Sequence, residues 1–324
     1  MVQVRDNLDI SVLIATYNRA EILCETLDAM TRLEWNGLSV EFVIVDNNSS
    51  DHTKQMIESF KDRLPILYLF EPRQGKNCAL NRALDEVSLG RVVVFTDDDV
   101  EPQSDWLKAI ESITKRKSEY NVFGGKVTLI MPDIELPYWE QIKNVTGLRF
   151  GAHGLADVEC PFPAGRFPSG SNLWVSRHIL KSDFRFDEFF GPRPDSRIMG
   201  SESTFIRKLT EDGHEIFYSP HAVVRHRLQP EMLSLSGIKE RVCRAGRTSP
   251  HFWGLKPRKL YEQHRFLWWL LRTLALAKCL LKYIVAKISL SRCQRVVRTL
   301  KALNGIAYNI ESLKIAYGDL WSKA

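Results

Sequence analysis

The stretch Arg91-Val92-Val93-Val94-Phe95-Thr96-Asp97-Asp98-Asp99 places three consecutive carboxylates directly after a strongly apolar segment. A run of β-branched and aromatic residues without a polar face predicts a strand that is buried on both sides, as in a parallel sheet covered by helices. Three adjacent carboxylates repel one another strongly unless a cation neutralises them. The stretch therefore predicts a buried strand that delivers an acidic site to one edge of a sheet.

The sequence before this stretch alternates between strand and helix patterns. The predicted strands are Ile10–Ala15, Glu41–Asp46, Ile66–Phe70 and Arg91–Thr96. The predicted helices between them are Ala20–Leu33, Asp51–Phe60 and Gly75–Val87. This alternation is typical of a Rossmann-like α/β fold, with a mostly parallel sheet flanked by helices.

The second half of the chain is less regular. Five of the 14 prolines fall in residues 131–170, which predicts an irregular insertion that covers a site. Regular structure is expected again in a strand at Ser171–Ser176, a helix near Glu202–Glu211, and strands at Ile216–Ser219 and Ala222–His226.

Polar residues follow every predicted strand of the first half. They are Thr16-Tyr17-Asn18-Arg19, Asp46–Asp51, Glu71–Lys76 and Asp97–Asp99. Because ligands bind such sheets at the carboxyl ends of the strands, the four loops predict one shared site. The alternative interpretation of each loop is structural, since Asn, Asp and Ser are also turn formers and helix N-caps.

The acidic triplet predicts a divalent cation that carries a diphosphate. Hard oxygen ligands select Mg²⁺ or Mn²⁺, which bind phosphate oxygens at the same time. No G-x-G-x-x-G follows the first strand and no G-x-x-x-x-G-K-[ST] occurs, which argues against a dinucleotide oxidoreductase and a P-loop NTPase. The alternative is a solvated acidic turn that caps the helix beginning near Ser104.

Four segments, in this order and spacing, resemble family 2 glycosyltransferases of the GT-A fold. They are Ile14–Arg19, Val43–Asp51, Gln74–Asn81 and Phe95–Asp99, and the resemblance covers roughly residues 9–228. It implies transfer of a sugar from a nucleotide-sugar donor, most commonly a UDP-sugar, to an acceptor hydroxyl with inversion at the anomeric carbon.

The resemblance also implies roles in donor binding. The loop of Thr16, Tyr17, Asn18 and Arg19 would hold the nucleoside together with Asp46. Lys76 and Asn77 lie where the family contacts the donor, and Arg73 is near enough to assist with phosphate. Within the triplet, Asp97 would face the ribose or the metal, Asp98 would contact the donor, and Asp99 would be the principal metal ligand. The alternative for Lys76 is an exposed lysine at a helix start.

The general base is expected in the segment Gly200-Ser201-Glu202-Ser203-Thr204, where the family has an acidic motif at a helix start. Glu202 is the one acid in this segment, although the family usually has two or three. Its alternative role is a first-turn glutamate favoured by the helix dipole. Asp195 is the second candidate base, although it follows Gly-Pro-Arg-Pro and is also explained as a turn residue.

Three further residues of the later segments are candidates. His226 lies where the family often places a metal-binding histidine, although a histidine at a strand end also has structural roles. Asn172, in the segment Pro168–Trp174, is expected to contact sugar hydroxyls. We expect Trp174 to pack in the core rather than to form a sugar platform.

Charge is distributed unevenly along the chain. Residues 231–324 contain 18 basic and five acidic residues, a net charge of +13, which leaves −7 for residues 1–230. Within the basic tail, residues 264–290 combine regularly spaced cations with an apolar face that includes Leu267, Leu270 and Leu274. This pattern predicts a helix in the membrane interface, with Trp268 and Trp269 near the headgroups. The alternative is a helix packed on the catalytic domain, and the Leu-rich spacing argues against nucleic acid.

The resemblance implies a catalytic GT-A domain in residues 1–230, and the charge pattern predicts a basic helical tail in residues 231–324. The donor half of the domain would span about residues 9–130 and the acceptor half about 131–230. A tail on the membrane surface implies a sugar or lipid-linked acceptor in cell-envelope or exported polysaccharide or glycolipid synthesis. The alternatives are a nucleotidyltransferase and a catalytically inactive relative that binds sugar or lipid.

The six cysteines contain no C-x-x-C pair, which favours a reducing, cytoplasmic setting. No secretory signal is visible in the first residues. We therefore expect a cytoplasmic enzyme that is peripheral on the inner face of the membrane.

Overall fold

The computed structural model describes residues 7–135, 139, 150–180, 184–193, 197–288 and 292–321. The chain divides into two compact units. The first comprises residues 1–131, 150–196 and 201–228, and the second comprises residues 132–149, 197–200 and 229–324.

The first half of the first unit alternates strands and helices, as predicted. Its elements are β1 Ile10–Thr16, α1 Ala20–Met30, β2 Val40–Asp46, α2 Thr53–Glu58, β3 Ile66–Phe70, α3 Lys76–Glu86, β4 Val92–Thr96, β5 Val100–Pro102, α4 Trp106–Arg116 and β6 Val122–Ile130. The strand predictions are confirmed to within a residue at each end. Helix α2 begins two residues later than predicted, after a turn in which the Asp51 carboxylate accepts the backbone N–H and the hydroxyl of Thr53.

The remaining elements of the first unit are shorter. They are β7 Cys160–Pro161, a 3₁₀ helix Gly170–Asn172, β8 Leu173–Ser176, a 3₁₀ helix Arg177–Ile179, β9 Gly191–Pro192, α5 Ser201–Glu211 and β11 Ile216–Arg227. Strand β10, Arg197–Ile198, belongs to the second unit. The two predicted strands at 216–219 and 222–226 are one strand, β11. Its register with β6 shifts between Ser219 and Val223, and this irregularity accommodates Pro220, which has no N–H to donate.

The sheet of the first unit runs in the order β3-β2-β1-β4-β8-β6-β11-β5, with β7 paired to β11. Strands β3, β2, β1 and β4 are parallel to one another, so their carboxyl ends share one edge. Strand β8 is antiparallel to both β4 and β6 and joins this half of the sheet to the rest.

Apolar clusters cover both faces of the sheet. One contains Ile14, Leu27 and Trp106, so α1 and α4 lie on that face. The other contains Leu13, Leu80 and Phe205, so α3 and α5 lie on the opposite face. Ile14 and Leu13 point to opposite sides because side chains alternate along a strand. Burial on both faces explains why the central strands are almost entirely apolar.

The second unit is helical. After β10 its elements are α6 Pro230–Leu233, α7 Leu235–Trp253, α8 Arg258–Gln263, α9 Arg265–Ile288 and α10 Arg292–Trp321. Gly246 of α7 lies against the backbone of α10, since a Cβ added there would come within 2.5 Å of the carbonyl oxygen of Asn304. None of the helices in the described residues combines the length and apolar content that a membrane span needs.

Trp268 corrects the sequence prediction for the tail. Its side chain is 1% exposed and packs with Leu255 and Ala316, and its indole N–H donates to the carbonyl oxygen of Lys256 at 3.2 Å. The guanidinium of Arg272 lies over the Trp268 ring and donates to Asn309 of α10. Trp268 is therefore part of the core of the second unit, and its buried ring is not available for contact with headgroups.

Candidate active site

The acidic triplet lies at the carboxyl edge of the parallel strands, directly after β4. The guanidinium of Arg19, from the loop after β1, contacts Oδ1 of Asp98 at 2.5 Å and Oδ2 of Asp99 at 2.8 Å. The hydroxyl of Thr16 donates to Oδ2 of Asp98 at 2.9 Å. In this structure, therefore, an arginine of the adjacent loop supplies the positive charge that the triplet requires.

The two buried carboxylates that share Arg19 titrate differently. Burial raises the pKa of Asp98. The positive charge of Arg19 opposes this rise, but the neighbouring Asp99 carboxylate adds to it, so the pKa stays raised. Burial also favours a raised pKa for Asp99, but His226 and Arg19 together hold that pKa well below its usual range. Of Asp98 and Asp99, Asp99 is thus the carboxylate that ionises more readily.

Asp99 and His226 form the part of the predicted metal site that the fold brings together. Strand β11 places Nε2 of His226 3.2 Å from Oδ1 of Asp99, an oxygen that is buried. A carboxylate oxygen suits Mn²⁺ or Mg²⁺, and a neutral imidazole nitrogen is a common metal ligand, so the pair could supply two ligands of a divalent cation.

The third predicted ligand, Asp97, is engaged elsewhere, because its carboxylate contacts Lys76. Among the residues that the structure describes, no three His, Cys, Asp or Glu side chains form a metal-binding group. The predicted set of Asp97, Asp99 and His226 is therefore assembled only as the pair of Asp99 and His226.

Lys76, at the start of α3, connects Asp97 and Glu202. Its Nζ lies 2.6 Å from Oδ1 of Asp97 and 2.6 Å from Oε1 of Glu202. Burial lowers the pKa of a lysine, but the two carboxylates outweigh it and raise the pKa of Lys76. Burial likewise raises the pKa of a carboxyl group, but Lys76 outweighs it and lowers the pKa of Glu202. Glu202 is consequently held as an ionised base.

The position of Glu202 follows from the packing of α5. Phe205, one turn further along, stacks on Phe186 at a centroid distance of 4.2 Å and contacts Phe95 of β4 edge-on. Gly170 lies against the glutamate, since a Cβ added there would come within 2.3 Å of Cδ of Glu202. The side chain of Glu202 is 20% exposed, so it is accessible from the edge of the sheet.

The first two loops of the predicted donor site are joined by hydrogen bonds. Asn18 adopts a positive φ of 49°, its backbone N–H donates to the hydroxyl of Ser49, and its side-chain oxygen accepts from the N–H of Ser50. Asp46 is buried and accepts from the hydroxyl of Tyr68 at 3.0 Å. Tyr17 is 43% exposed beside these residues.

The third loop is attached to the second through Asn47. Its side chain donates to the carbonyl oxygens of Glu71 and Arg73 and accepts from the N–H of Gly75 at 2.6 Å. The Arg73 guanidinium contacts Glu71 and Glu188. The four strand ends are therefore held together as one polar edge, as the sequence predicts.

Two predicted donor contacts are buried and engaged with the protein itself. Asn77 is 1% exposed and donates to the carbonyl oxygens of Asp187 and Phe190. Asn172 is fully buried, donates to the carbonyl oxygens of Lys126 and Ala222, and accepts from the indole of Trp106. Both side chains support the backbone around the site, and their contact with a donor stays a prediction.

The prediction that Trp174 packs in the core is confirmed. It is fully buried, stacks on Phe123, and donates its indole N–H to Thr114. Asp195, the second candidate base, lies outside the described residues.

Several residues that shape the site were not assigned a role of their own from sequence. Asn47 and Glu188 contact Arg73, Tyr68 contacts Asp46, and Gly170 lies against Glu202. The position of Asn47 directly after β2 was the one local signal among them. The other three are brought to the edge of the sheet by distant elements.

The fold and this edge define a nucleotide-diphospho-sugar transferase architecture of the GT-A type. The sequence profile of glycosyl transferase family 2 matches residues 11–173. The chain belongs to this family and is a glycosyltransferase.

Individual relatives agree with this assignment. The chain is 23% identical over 265 residues to the glycosyltransferase AglE of Haloferax volcanii, which covers 81% of this chain and 80% of that protein. A stretch of 120 residues is 32% identical to the GalNAc(5)-diNAcBac-PP-undecaprenol beta-1,3-glucosyltransferase of Campylobacter jejuni, covering 36% of this chain and 37% of that enzyme.

A solved structure shares the fold. The mannosyltransferase PcManGT from Pyrobaculum calidifontis, solved in complex with GDP-Man and Mn²⁺, superposes with a TM-score of 0.57 at 18% sequence identity. The match covers 96% of this chain and 90% of that chain.

Proposed function

We propose that this glycosyltransferase transfers a sugar from a nucleoside-diphosphate sugar to an acceptor hydroxyl with inversion, and that Glu202 is the general base. The observation that supports this most strongly is the contact of Lys76 with both Asp97 and Glu202, each at 2.6 Å. This contact joins the loop expected to bind the donor to Glu202, the one acid of the segment Gly200–Thr204.

In the proposed reaction the acceptor oxygen attacks the anomeric carbon from the face opposite the diphosphate. Glu202 accepts the proton of the acceptor hydroxyl, and the nucleoside diphosphate leaves with the electron pair of the broken bond. The lowered pKa of Glu202 keeps its carboxylate ionised at neutral pH. Lys76 therefore favours the protonation state that the reaction needs.

The nucleoside and phosphates are proposed to bind along the polar edge. The loop Thr16–Arg19 and Asp46 would contact the nucleoside, and the exposed guanidinium of Arg73 would contact phosphate oxygens. UDP-sugars are the first donors to test, and the GDP-Man in the PcManGT complex makes GDP-sugars the second.

A divalent cation, Mn²⁺ or Mg²⁺, is proposed to bind at Asp99 and His226, with Asp97 as a further ligand. When bound, such a cation stabilises the negative charge that develops on the leaving diphosphate. Two features support the proposal: the contact of Asp99 with His226, and the Mn²⁺ present in the PcManGT complex.

The acceptor is proposed to be lipid-linked, and α9 is proposed to contact the membrane surface. The name of the Campylobacter relative describes an undecaprenol-linked acceptor. Helix α9 exposes a row of large apolar side chains: Phe266, Leu267, Leu270, Leu271, Leu274, Leu280, Leu281, Ile284 and Val285. At 100° per residue they span about 180° of the helix, which is the apolar face of an interfacial helix.

Charge favours an anionic membrane over a second copy of the chain as the partner of this face. Lys282 borders this face, Lys278 lies within it, and both side chains are exposed. Residues 231–324 carry a net charge of +13, so two copies that met through this face would bring strongly positive surfaces together. An anionic lipid surface accommodates both the apolar side chains and the cations.

The donor site is tested by calorimetric binding of UDP, GDP and dTDP with and without Mn²⁺, followed by transfer assays with sugars of the nucleotide that binds. We expect one nucleotide to bind more tightly with Mn²⁺, and the Asp99→Ala variant to lose this enhancement. The matched control is Asp62→Ala, which removes an exposed carboxylate of the same unit and leaves binding unchanged.

Absence of nucleotide binding under all these conditions would contradict the proposal. It would favour an inactive relative that binds sugar or lipid. This relative is the second candidate because the segment Gly200–Thr204 contains a single acid, Glu202.

A further inference from the structure

The second unit contains a groove of about 380 Å³ where α7, α9 and α10 meet. Three cations from the three helices line it: Lys239 of α7, Lys287 of α9 and Arg295 of α10. Tyr283 and Thr299 add two hydroxyl groups to the same wall. The groove is therefore surrounded by groups that donate hydrogen bonds to an anion.

The three cations are not neutralised by neighbouring acids. Within the described residues, no carboxylate lies within salt-bridge distance of Lys239, Lys287 or Arg295, whereas Arg244 and Arg258 of the same unit pair with glutamates on their own helices. The ammonium of Lys287 lies over the Tyr283 ring at 4.8 Å. Cations gathered from separate helices without counterions favour the binding of an anion.

The groove shares α9 with the exposed apolar face. Tyr283 and Lys287 line the groove, while the neighbouring Ile284 and Val285 belong to the apolar face and are 54% and 45% exposed. Leu235, which is 43% exposed, supplies an apolar patch to the groove itself. An anion that also carries apolar chains can contact the cations of the groove and the apolar face of α9 at the same time.

From this arrangement we infer that the groove binds the phosphate headgroup of an anionic membrane lipid. Lys239, Lys287 and Arg295 contact the phosphate oxygens, and the apolar face of α9 contacts the acyl chains. The inference rests on the proposed membrane contact of α9 and adds to it a defined headgroup site. Hydroxyl donors and a guanidinium suit phosphate oxygens, because charge-assisted hydrogen bonds are directional as well as strong.

The test is binding of the full-length chain to vesicles of phosphatidylglycerol in phosphatidylcholine, compared with vesicles of phosphatidylcholine alone. The groove variant is the double substitution Lys287→Gln/Arg295→Gln. The matched control is Lys259→Gln/Lys301→Gln, which removes two exposed cations of the same unit that do not line the groove. Circular dichroism of each variant establishes that it is folded.

We expect the groove variant to bind phosphatidylglycerol vesicles roughly 25-fold more weakly, because each cation near a membrane surface contributes about five-fold in affinity. The control should lose less than about three-fold. Equal losses in the two double variants would overturn the inference, because general surface charge would then explain the binding.

A second arm uses inorganic phosphate as a competitor and as a ligand in calorimetry. If millimolar phosphate binds in the groove and vesicle binding is unchanged, the groove binds free phosphate and not a lipid headgroup. That result would overturn the lipid site. If the unmodified chain binds neither vesicle, the headgroup site and the membrane contact both fail. Sugar transfer to a soluble acceptor would still support the proposed glycosyl transfer in that case.

Discussion

Nζ of Lys76 lies 2.6 Å from Oε1 of Glu202, although 126 positions separate the two residues in the chain. Lys76 begins the helix after β3, and Glu202 lies in the first turn of a helix that follows the irregular second half of the unit. The contact requires α3 and α5 to cover the same face of the sheet. It makes the ionisation of the proposed base depend on a residue of the proposed donor site.

Substitution of Lys76 should therefore change the pH dependence of activity. In Lys76→Gln the effect of burial on Glu202 is no longer opposed, so its pKa should rise from its present value below 4.5. In a plot of kcat against pH, the acidic limb should therefore move to higher pH in this variant. In Lys76→Arg, which keeps the positive charge, the acidic limb should stay where it is in the unmodified chain. An unchanged limb in Lys76→Gln would show that Glu202 does not control it.

The same shift has a consequence for stability. Because the pKa of Glu202 is lowered on folding, its ionised form contributes to the free energy of unfolding above the unfolded-state pKa, near 4.5. This contribution should be lost as the pH falls through the lowered value. Urea unfolding between pH 3 and 6 should therefore show a smaller acid-induced loss of stability in Glu202→Gln than in the unmodified chain.

Gly170 should be required for activity because no side chain fits between it and Glu202. In Gly170→Ala the new Cβ would meet Cδ of Glu202 at 2.3 Å and displace the carboxylate. A displacement of about 1 Å costs roughly 100-fold in rate, so kcat should fall by about that factor while nucleotide binding is retained. Gly154→Ala is the control, since its Cβ would meet nothing nearer than 3.6 Å.

Asn172 should prove important for stability. Replacement by alanine leaves the Trp106 indole and two buried carbonyl oxygens without their partner. We expect Asn172→Ala to lower the free energy of unfolding by about 2–4 kcal/mol, measured by urea denaturation. Asn36→Ala, at an exposed position, should cost less than about 0.5 kcal/mol. A loss of activity in Asn172→Ala with full stability would instead support direct contact with the sugar.

The apolar face of α9 should determine membrane binding. The substitutions Leu270→Asp and Leu274→Asp place charge at side chains that are 47% and 56% exposed, so the fold should tolerate them. Binding to anionic vesicles should fall at least ten-fold, because burial of each leucine contributes about 1.5–3 kcal/mol. Val158→Asp, at a side chain that is 66% exposed in the first unit, serves as the control. Undiminished vesicle binding in the leucine variant would contradict the membrane contact.

The strands and the shared polar edge could be predicted because their signals are local. An apolar segment such as Val92–Phe95 is explained by burial on both faces, and the carboxyl ends of parallel strands must meet. In agreement with this, Thr16 and Asp98 are hydrogen-bonded although 82 positions apart.

Which charges pair with which could not be predicted, because it depends on side-chain geometry between distant elements. The sequence indicated that the triplet needs a cation, but not that Arg19 would contact Asp98 and Asp99 while Lys76 contacts Asp97. The amphipathic pattern of residues 264–290 likewise identified a helix but not its buried face. Trp268 packs inward because α8 and α10 provide partners that no local pattern reveals.

We propose that Glu202 accepts the proton of the acceptor hydroxyl and that the site binds the donor without the help of Glu202. The most direct test measures the transfer rate at saturating donor and the dissociation constant of the nucleotide for Glu202→Gln, with Glu211→Gln on the exposed end of the same helix as control. We predict a rate that is about 10²- to 10⁴-fold lower, nucleotide affinity unchanged within about three-fold, and a control that behaves as the unmodified enzyme. A Glu202→Gln variant that transfers sugar at the unmodified rate would contradict this account.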